Sequence, residues 1–302
     1  MSIGDTQKRM YIMADELESK YVAGRSVRTV VDFGALSNRG KVREKNEDHY
    51  AVIKRSRTQE LVLANLQMTD LNVSQEDSYL MMVADGVGGG TFGDIASELV
   101  LRTFWEVAER MTSWVMKLKD FEAQNEEIEE RVATFTQRIQ AVFESLGKTV
   151  PEMREMGSTF TVAYIMGPDA IIVNLGDSRA YLLRDGYLLQ MTRDHTLAQE
   201  LVDEGADAKE VSHLRHVLTR CFSDKSLDTT PDIHYLRFRD RDTLLLCTDG
   251  LTDMVSDDAI AEELDATSNP QLACCELVEL ALKEGGKDNI TVIVAKVGIE
   301  FC

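Results

Sequence analysis

Apolar residues along the chain recur first at helical spacing and later at strand spacing. Met10, Met13, Leu17 and Tyr21 predict a helix over residues 1–24, stopped by Gly24. Residues 28–36 (RTVVDFGAL) read as a strand, and so do His49–Ile53 and Tyr79–Ala84. The polar stretch 55–78 between the last two reads as an insertion or hairpin. Two long helices follow. Ile95, Leu99, Val107, Met111, Trp114 and Leu118 mark the first, and Phe121, Ile128, Val132, Phe135, Ile139, Val142 and Leu146 form a core-facing stripe on the second. Acidic residues over 126–130 are the solvated face of that helix.

After Gly157 the period shortens. STFTVAYIMG, AIIVNLG, RAYLLRDG and YLLQMTR are strand-like, with Arg184-Asp185-Gly186 as a hairpin turn. Residues 194–230 are mixed, with short helical pieces. Strands resume at 232–238 and 242–248, helices fit 256–265 and 270–284, and NITVIVAKV is a closing strand. Ser268 or Asn269 caps the last helix, Pro270 opens it and Gly285-Gly286 stops it. Helices in pairs and strands in runs predict α+β layers rather than an alternating βαβ sheet. One domain with a surface excursion at 194–230 accounts for the order.

Charge narrows the function classes. Fifty-two acidic against 33 basic residues give a formal net charge of −19, which repels nucleic acid and anionic membranes as partners. No apolar run reaches the length of a membrane span, and the first residues hold no signal core or myristoylation site. Five cysteines without a CxxC pair argue against a disulfide framework or zinc site and fit a reducing cytoplasm, with Cys247 as a small core residue.

The chemistry lies in aspartates at strand ends: Asp85 before Gly86, Asp177 after Gly176, Asp249 before Gly250, and Asp288 before Asn289. An Asp-Gly after a strand is commonly only a turn. Asp85 and Asp249, however, follow strongly apolar strands, where a charge needs a partner to offset its desolvation. A hard divalent cation supplies one, because Mg²⁺ and Mn²⁺ favour oxygen ligands. A further segment runs from Arg43 to Glu47 and Asp48; arginine presents a planar fork suited to phosphate.

Taken together, SNRGKVREKNEDHY (37–50), VADGVGGGTFGDIAS (83–97), GSTFTVAYI (157–165), VNLGDSRAYLLRDG (173–186), TRDHTLAQELVDEG (192–205), HVLTRCFS (216–223), LLLCTDGLTDMV (244–255) and GGKDNITVIVAKV (285–297) occur in one order. In this set the chain resembles the type 2C metal-dependent protein serine/threonine phosphatases, in their bacterial-type branch. The resemblance implies an αββα four-layer sandwich, with two stacked antiparallel sheets flanked by helix pairs. It implies a phosphatase domain over 28–302 with a flap at about 194–230; the helical extension over 1–27 and the 55–78 insertion are additions to that pattern. Asp85 would bridge two Mn²⁺ or Mg²⁺ ions, and the Gly86 carbonyl would ligate one. Asp249 and Asp288 would complete the first ion's shell, Glu47 and Asp48 would act largely through water, and Asp177 with Asp249 would form a third, weaker site. Arg43 would hold the phosphate. Arg43, Asp48 and Asp85 are thus the expected catalytic residues, and the substrates would be phosphorylated proteins, a serine/threonine kinase or its targets.

Where some relatives carry a histidine, this chain has Val87, which leaves the general acid unassigned, with a metal-bound water as the candidate. Two other readings compete. One is a catalytically weak module of the same fold that binds a phosphorylated partner; retention of the whole ligand set disfavours it. The other is an acidic cation-binding scaffold, which gains nothing from Arg43. His195, His213 and His216, in or beside the flap, could tune a pH response or touch substrate, but read first as satisfied surface residues.

Overall fold

The computed structural model describes residues 27–57, 76–88, 92–111, 121–226 and 228–301. The expected N-terminal helix, the centre of the 55–78 insertion, and Trp114 and Leu118 of the first helical stripe lie outside the described residues. The ends of that insertion are strand: β2 (Asp48–Arg57) pairs antiparallel along its whole length with residues 76–85 of β3 (Glu76–Val87).

Two antiparallel sheets form. The first has the order β1 (Val27–Asn38), β12 (Ile290–Phe301), β11 (Thr243–Cys247), β7 (Arg179–Arg184) and β8 (Tyr187–Gln190). The second places β10 (Asp232–Arg237), β6 (Asp169–Leu175), β5 (Phe160–Met166) and β3 side by side, with β2 on the far side of β3. A short ribbon of β4 (Gly157–Ser158) and β9 (Phe222–Ser223) continues from the end of β3. Helices α1 (Gly93–Met111) and α2 (Phe121–Thr149) cover the second sheet. The first sheet is covered by α5 (Asp257–Ala266) and α6 (Pro270–Lys283). Two short helices, α3 (Leu197–Asp203) and α4 (Asp249–Thr252), lie in the excursion and directly after β11.

Strand alternation builds the layers, because neighbouring side chains point to opposite faces. Leu80, Met82 and Ala84 of β3 pack under α1 and α2, while Tyr79, Met81 and Val83 pack between the sheets. Leu244 and Leu246 of β11 likewise face the other sheet, and Leu245 and Cys247 face α5 and α6. Both strands are buried on both faces, which explains why their sequences are continuously apolar. Each such leucine contributes ~1.5–3 kcal/mol by burial. The architecture is the αββα sandwich expected.

Two helical stripes need correction. On α1 the buried face is Ala96, Val100, Phe104 and Ala108, whereas Ile95 is exposed. The true stripe contains alanines, which a search for large apolar residues passes over. On α2 it is Phe143 rather than Val142 that is fully buried, stacked 6.1 Å from Phe222 of β9. The β7–β8 hairpin turns on Asp185 and Gly186, with φ of 53° and 79°, as its sequence predicts. Asn269, not Ser268, caps α6, accepting from the backbone N–H groups of Gln271 and Leu272.

Candidate metal centre

Strand ends carry the aspartates to one place. Asp48 opens β2 and stands opposite Asp85 near the end of β3. Asp249 follows β11 and begins α4, Asp288 precedes β12, and Asp177 sits in the β6–β7 turn. Buried hydroxyls tie these segments together. The Thr248 hydroxyl donates to Asp48 Oδ2 at 2.8 Å and accepts from the Thr291 amide at 3.0 Å. Thr159 Oγ1 accepts from the Asp85 amide at 3.0 Å and lies 2.9 Å from Ser178 Oγ, so the Asp85 strand and the Asp177 turn share one support.

Gly86 allows a backbone approach that no other residue would. A Cβ there would lie 2.0 Å from the Gly93 carbonyl oxygen and 2.8 Å from that of Glu47. The end of β3, the start of α1 and the Glu47 segment therefore meet backbone to backbone.

Concentrated like charge in a desolvated place raises carboxylate pKa values. Burial, then the charges of Asp48, Asp249, Asp177 and Asp288, pushes Asp85 well above the usual carboxylate range. Burial and then Asp177, Asp288, Asp253 and Asp48 do the same to Asp249. Asp48 is pushed up to about 7 by burial, against hydrogen bonds from Thr291 and Thr248. Asp177 also rises to about 7, through burial and then the charge of Asp194. Burial raises half-buried Glu47 as well. Arg43 is a cation at the rim: its guanidinium donates to Asp288 Oδ2 at 2.5 Å with half of its side chain exposed.

Two oxygens test whether this cluster fits a cation. Asp48 Oδ1 and Asp249 Oδ1 are buried without a hydrogen-bond partner. Orphaned buried carboxylate oxygens are costly unless an ion completes them, and an all-oxygen donor set suits Mn²⁺ or Mg²⁺. Among the described residues no three acidic, histidine or cysteine side chains already close on one point at ligand spacing. The fit therefore rests on donor chemistry and on the two orphaned oxygens.

The sequence matches the family described as Protein phosphatase 2C over residues 48–290. The chain belongs to the protein phosphatase 2C family. Among its relatives, the serine/threonine protein phosphatase PstP of Mycobacterium tuberculosis is 34% identical over 274 residues, 90% of this chain. The chain spans only 46% of that relative's length. The serine/threonine phosphatase stp of Listeria monocytogenes is 30% identical over 263 residues, covering 86% of this chain and 93% of the relative. A crystal structure of the PstP catalytic domain in complex with two manganese ions superposes with a TM-score of 0.68 at 30% identity, over 89% of this chain and 99% of that one.

Within this family fold, three residues gain roles that the sequence reading missed. Asp253 lies one helical turn after Asp249, its amide bonded to the Asp249 carbonyl at 2.8 Å, and its charge acts on both Asp177 and Asp249. The i, i+4 spacing inside DGLTD was the available signal. Asn289 is buried; its Oδ1 accepts from the Glu47 amide at 2.8 Å, and its Nδ2 donates to the carbonyls of Arg39 at 2.9 Å and Lys45 at 2.8 Å. It fastens the Arg43–Glu47 loop to the start of β12. His195 is the third: far from being a surface residue, it is 0% exposed. His213 and His216 are exposed, as expected.

Proposed function

We propose that this chain is a metal-dependent protein phosphatase that hydrolyses phosphoserine and phosphothreonine in proteins. The observation that carries the reading is the meeting of Asp48, Asp85, Asp249 and Asp288 beside Arg43, with buried carboxylate oxygens left for a cation. Asp85, the Gly86 carbonyl, Asp249 and Asp288 would hold two Mn²⁺ or Mg²⁺ ions, with Glu47 and Asp48 acting through water. Asp177 with Asp249 and Asp253 would hold a third, weaker one. When bound, such ions make a water nucleophilic near neutral pH and offset phosphoryl charge. The relative solved with two manganese ions supports that number.

The chain's own residues then orient the substrate. Arg43 would exchange Asp288 for the phosphate and present its paired N–H groups to two phosphoryl oxygens. Asn289 holds the loop that carries Arg43, and Thr248 holds Asp48 in its rotamer. A thiol nucleophile is disfavoured, since burial pushes Cys221 up to about 11 and Cys247 and Cys274 up to about 12. Val87, at the end of β3, has no proton to give a leaving group. A water therefore serves as the acid in this proposal.

The catalytic domain is assigned to residues 28–302 with the flap at 194–230, and the partners to phosphorylated proteins of a kinase signalling system. The described cysteines are free thiols, which supports a cytoplasmic setting. Among the described residues no helix is long and apolar enough to cross a membrane. Phosphate release from phosphoserine and phosphothreonine peptides, with Mn²⁺ and with EDTA, tests the reading. Metal-dependent release supports it; tight peptide binding without release would favour the phosphopartner-binding module instead.

A further inference from the structure

His195 stands where the flap meets the turn that carries Asp177, and no step proposed above uses it. Its ring is wholly buried, with Nδ1 accepting a hydrogen bond from the Gly176 amide at 3.1 Å. A backbone N–H can only donate, so Nδ1 carries the lone pair and the proton sits on Nε2. Nε2 lies 3.2 Å from Asp232 Oδ2 on β10. Arg220 Nη1, 3.5 Å from Nε2, also has only N–H groups to offer; it is 3.3 Å from Asp232 Oδ1 and its Nε is 2.9 Å from Asp228. Asp232 is held below the usual carboxylate range, first by the hydrogen bond from His195.

The backbone of His195 joins the same two regions. Its N–H donates to the Gly176 carbonyl at 3.0 Å, and its carbonyl accepts from Thr219 of the flap at 2.9 Å. His195 thus engages both backbone groups of Gly176, whose carbonyl also accepts from Asn174 Nδ2 at 3.2 Å. Gly176 has φ of +116°, and a Cβ there would meet Thr159 at 2.6 Å. The position requires glycine, and the next residue is Asp177.

We propose that His195 is a positioning residue which, as the Nε2–H tautomer, couples the flap through Arg220 and Asp232 to the turn that aims Asp177. The flap's VLTR segment and the Asp177 carboxylate then move as one unit. Substrate contacts on the flap are felt at the weaker cation site, and cation binding there is felt in the flap. This coupling rests on the phosphatase reading for its catalytic consequence, but not for its geometry.

The test uses the full chain and three variants. Ring ¹⁵N NMR of the wild type should show His195 with its proton on Nε2. Hydrogen exchange of the Gly176 amide should be strongly protected. Asp232→Asn, which touches no aspartate of the centre, should speed that exchange and raise the Mn²⁺ concentration needed for half-maximal phosphopeptide turnover roughly tenfold, at the low end of what residues supporting metal ligands contribute. His195→Gln removes the Nδ1 acceptor and should produce both effects more strongly. His195→Asn, whose side-chain oxygen can occupy the Nδ1 position, should restore Gly176 protection. An Nδ1–H tautomer in the wild type overturns the proposal. So does an Asp232→Asn variant that melts earlier yet keeps its Gly176 exchange rate and Mn²⁺ requirement. If the wild type releases no phosphate at all, the phosphatase reading fails, while the ring spectrum and the exchange rates still decide the coupling.

Discussion

Asn289→Ala probes how the loop that carries Arg43 is held. The side chain is 4% exposed and makes three hydrogen bonds across the gap between residues 39–47 and β12, to the Glu47 amide and the carbonyls of Arg39 and Lys45. A neutral hydrogen bond contributes ~1 kcal/mol net, so three give about 3 kcal/mol, and partial rehydration of the freed loop sets a range of about 2–4 kcal/mol. Urea unfolding in EDTA should show that loss at an unchanged m-value. Because the same loop carries Arg43, kcat/KM for a phosphopeptide should fall by roughly 10–100-fold, the scale of a misplacement near 1 Å. Asn289→Asp keeps the acceptor but removes both donors and sets a charge beside Asp288, so it should be at least as damaging. An Asn289→Ala protein within about 0.5 kcal/mol of wild type would refute the fastening role, since three buried bonds cannot be worth so little.

Other outcomes follow from the same geometry. Asp48 and Asp177 titrate near 7 when folded against 3.8 when unfolded, so the folded state holds extra protons between these values. Stability of the metal-free protein should therefore be fullest below pH 4 as far as these groups contribute, and should fall as pH rises through about 7. Mn²⁺ should reverse that fall, read by thermal melts across pH with and without EDTA. Arg184, 6% exposed, is bidentate on buried Asp242, and its loss leaves that carboxylate only the amide and charge of Arg239; Arg184→Met should cost ~3 kcal/mol in urea unfolding. Gly86→Ala must move the Gly93 carbonyl, 2.0 Å from its new Cβ, and should abolish tight Mn²⁺ binding in calorimetry even if the protein still folds. With a net charge of −19, the protein should turn over phosphopeptides with basic flanks faster than acidic ones at low salt, and the gap should close as salt rises.

The layers were legible in the sequence because strands buried on both faces are written as unbroken apolar runs. LLLC of β11 and LMMVA of β3 are such runs, and the change from a helical to a two-residue period at Gly157 marks where strands resume. The aspartates at the ends of these strands were legible for the same reason: a charge directly after a buried strand has to be met by something. What stayed hidden depends on contacts far apart in the chain. Asn289 looks like an ordinary turn residue until its three partners, about 240 residues away, come into view. His195 sits in a polar segment that reads as surface, and only the packing of the flap against the Gly176 turn buries it. The buried face of α1 was misplaced by one position because alanines define it. Asp253 carried only the i, i+4 spacing of DGLTD as a signal, and that spacing places it beside Asp249 only because a one-turn helix, α4, forms there.

The central claim is that the aspartate cluster is a divalent-cation centre that drives phosphate release. The most direct measurement pairs Mn²⁺ titration calorimetry with p-nitrophenyl phosphate turnover for wild type and Asp249→Asn, in Mn²⁺, in Mg²⁺ and in EDTA. The account predicts at least two Mn²⁺ per wild-type chain and metal-dependent turnover that EDTA abolishes. It also predicts that the folded variant loses both tight binding and turnover. Turnover that persists in EDTA, or an Asp249→Asn protein that binds Mn²⁺ and hydrolyses as well as wild type, would contradict it.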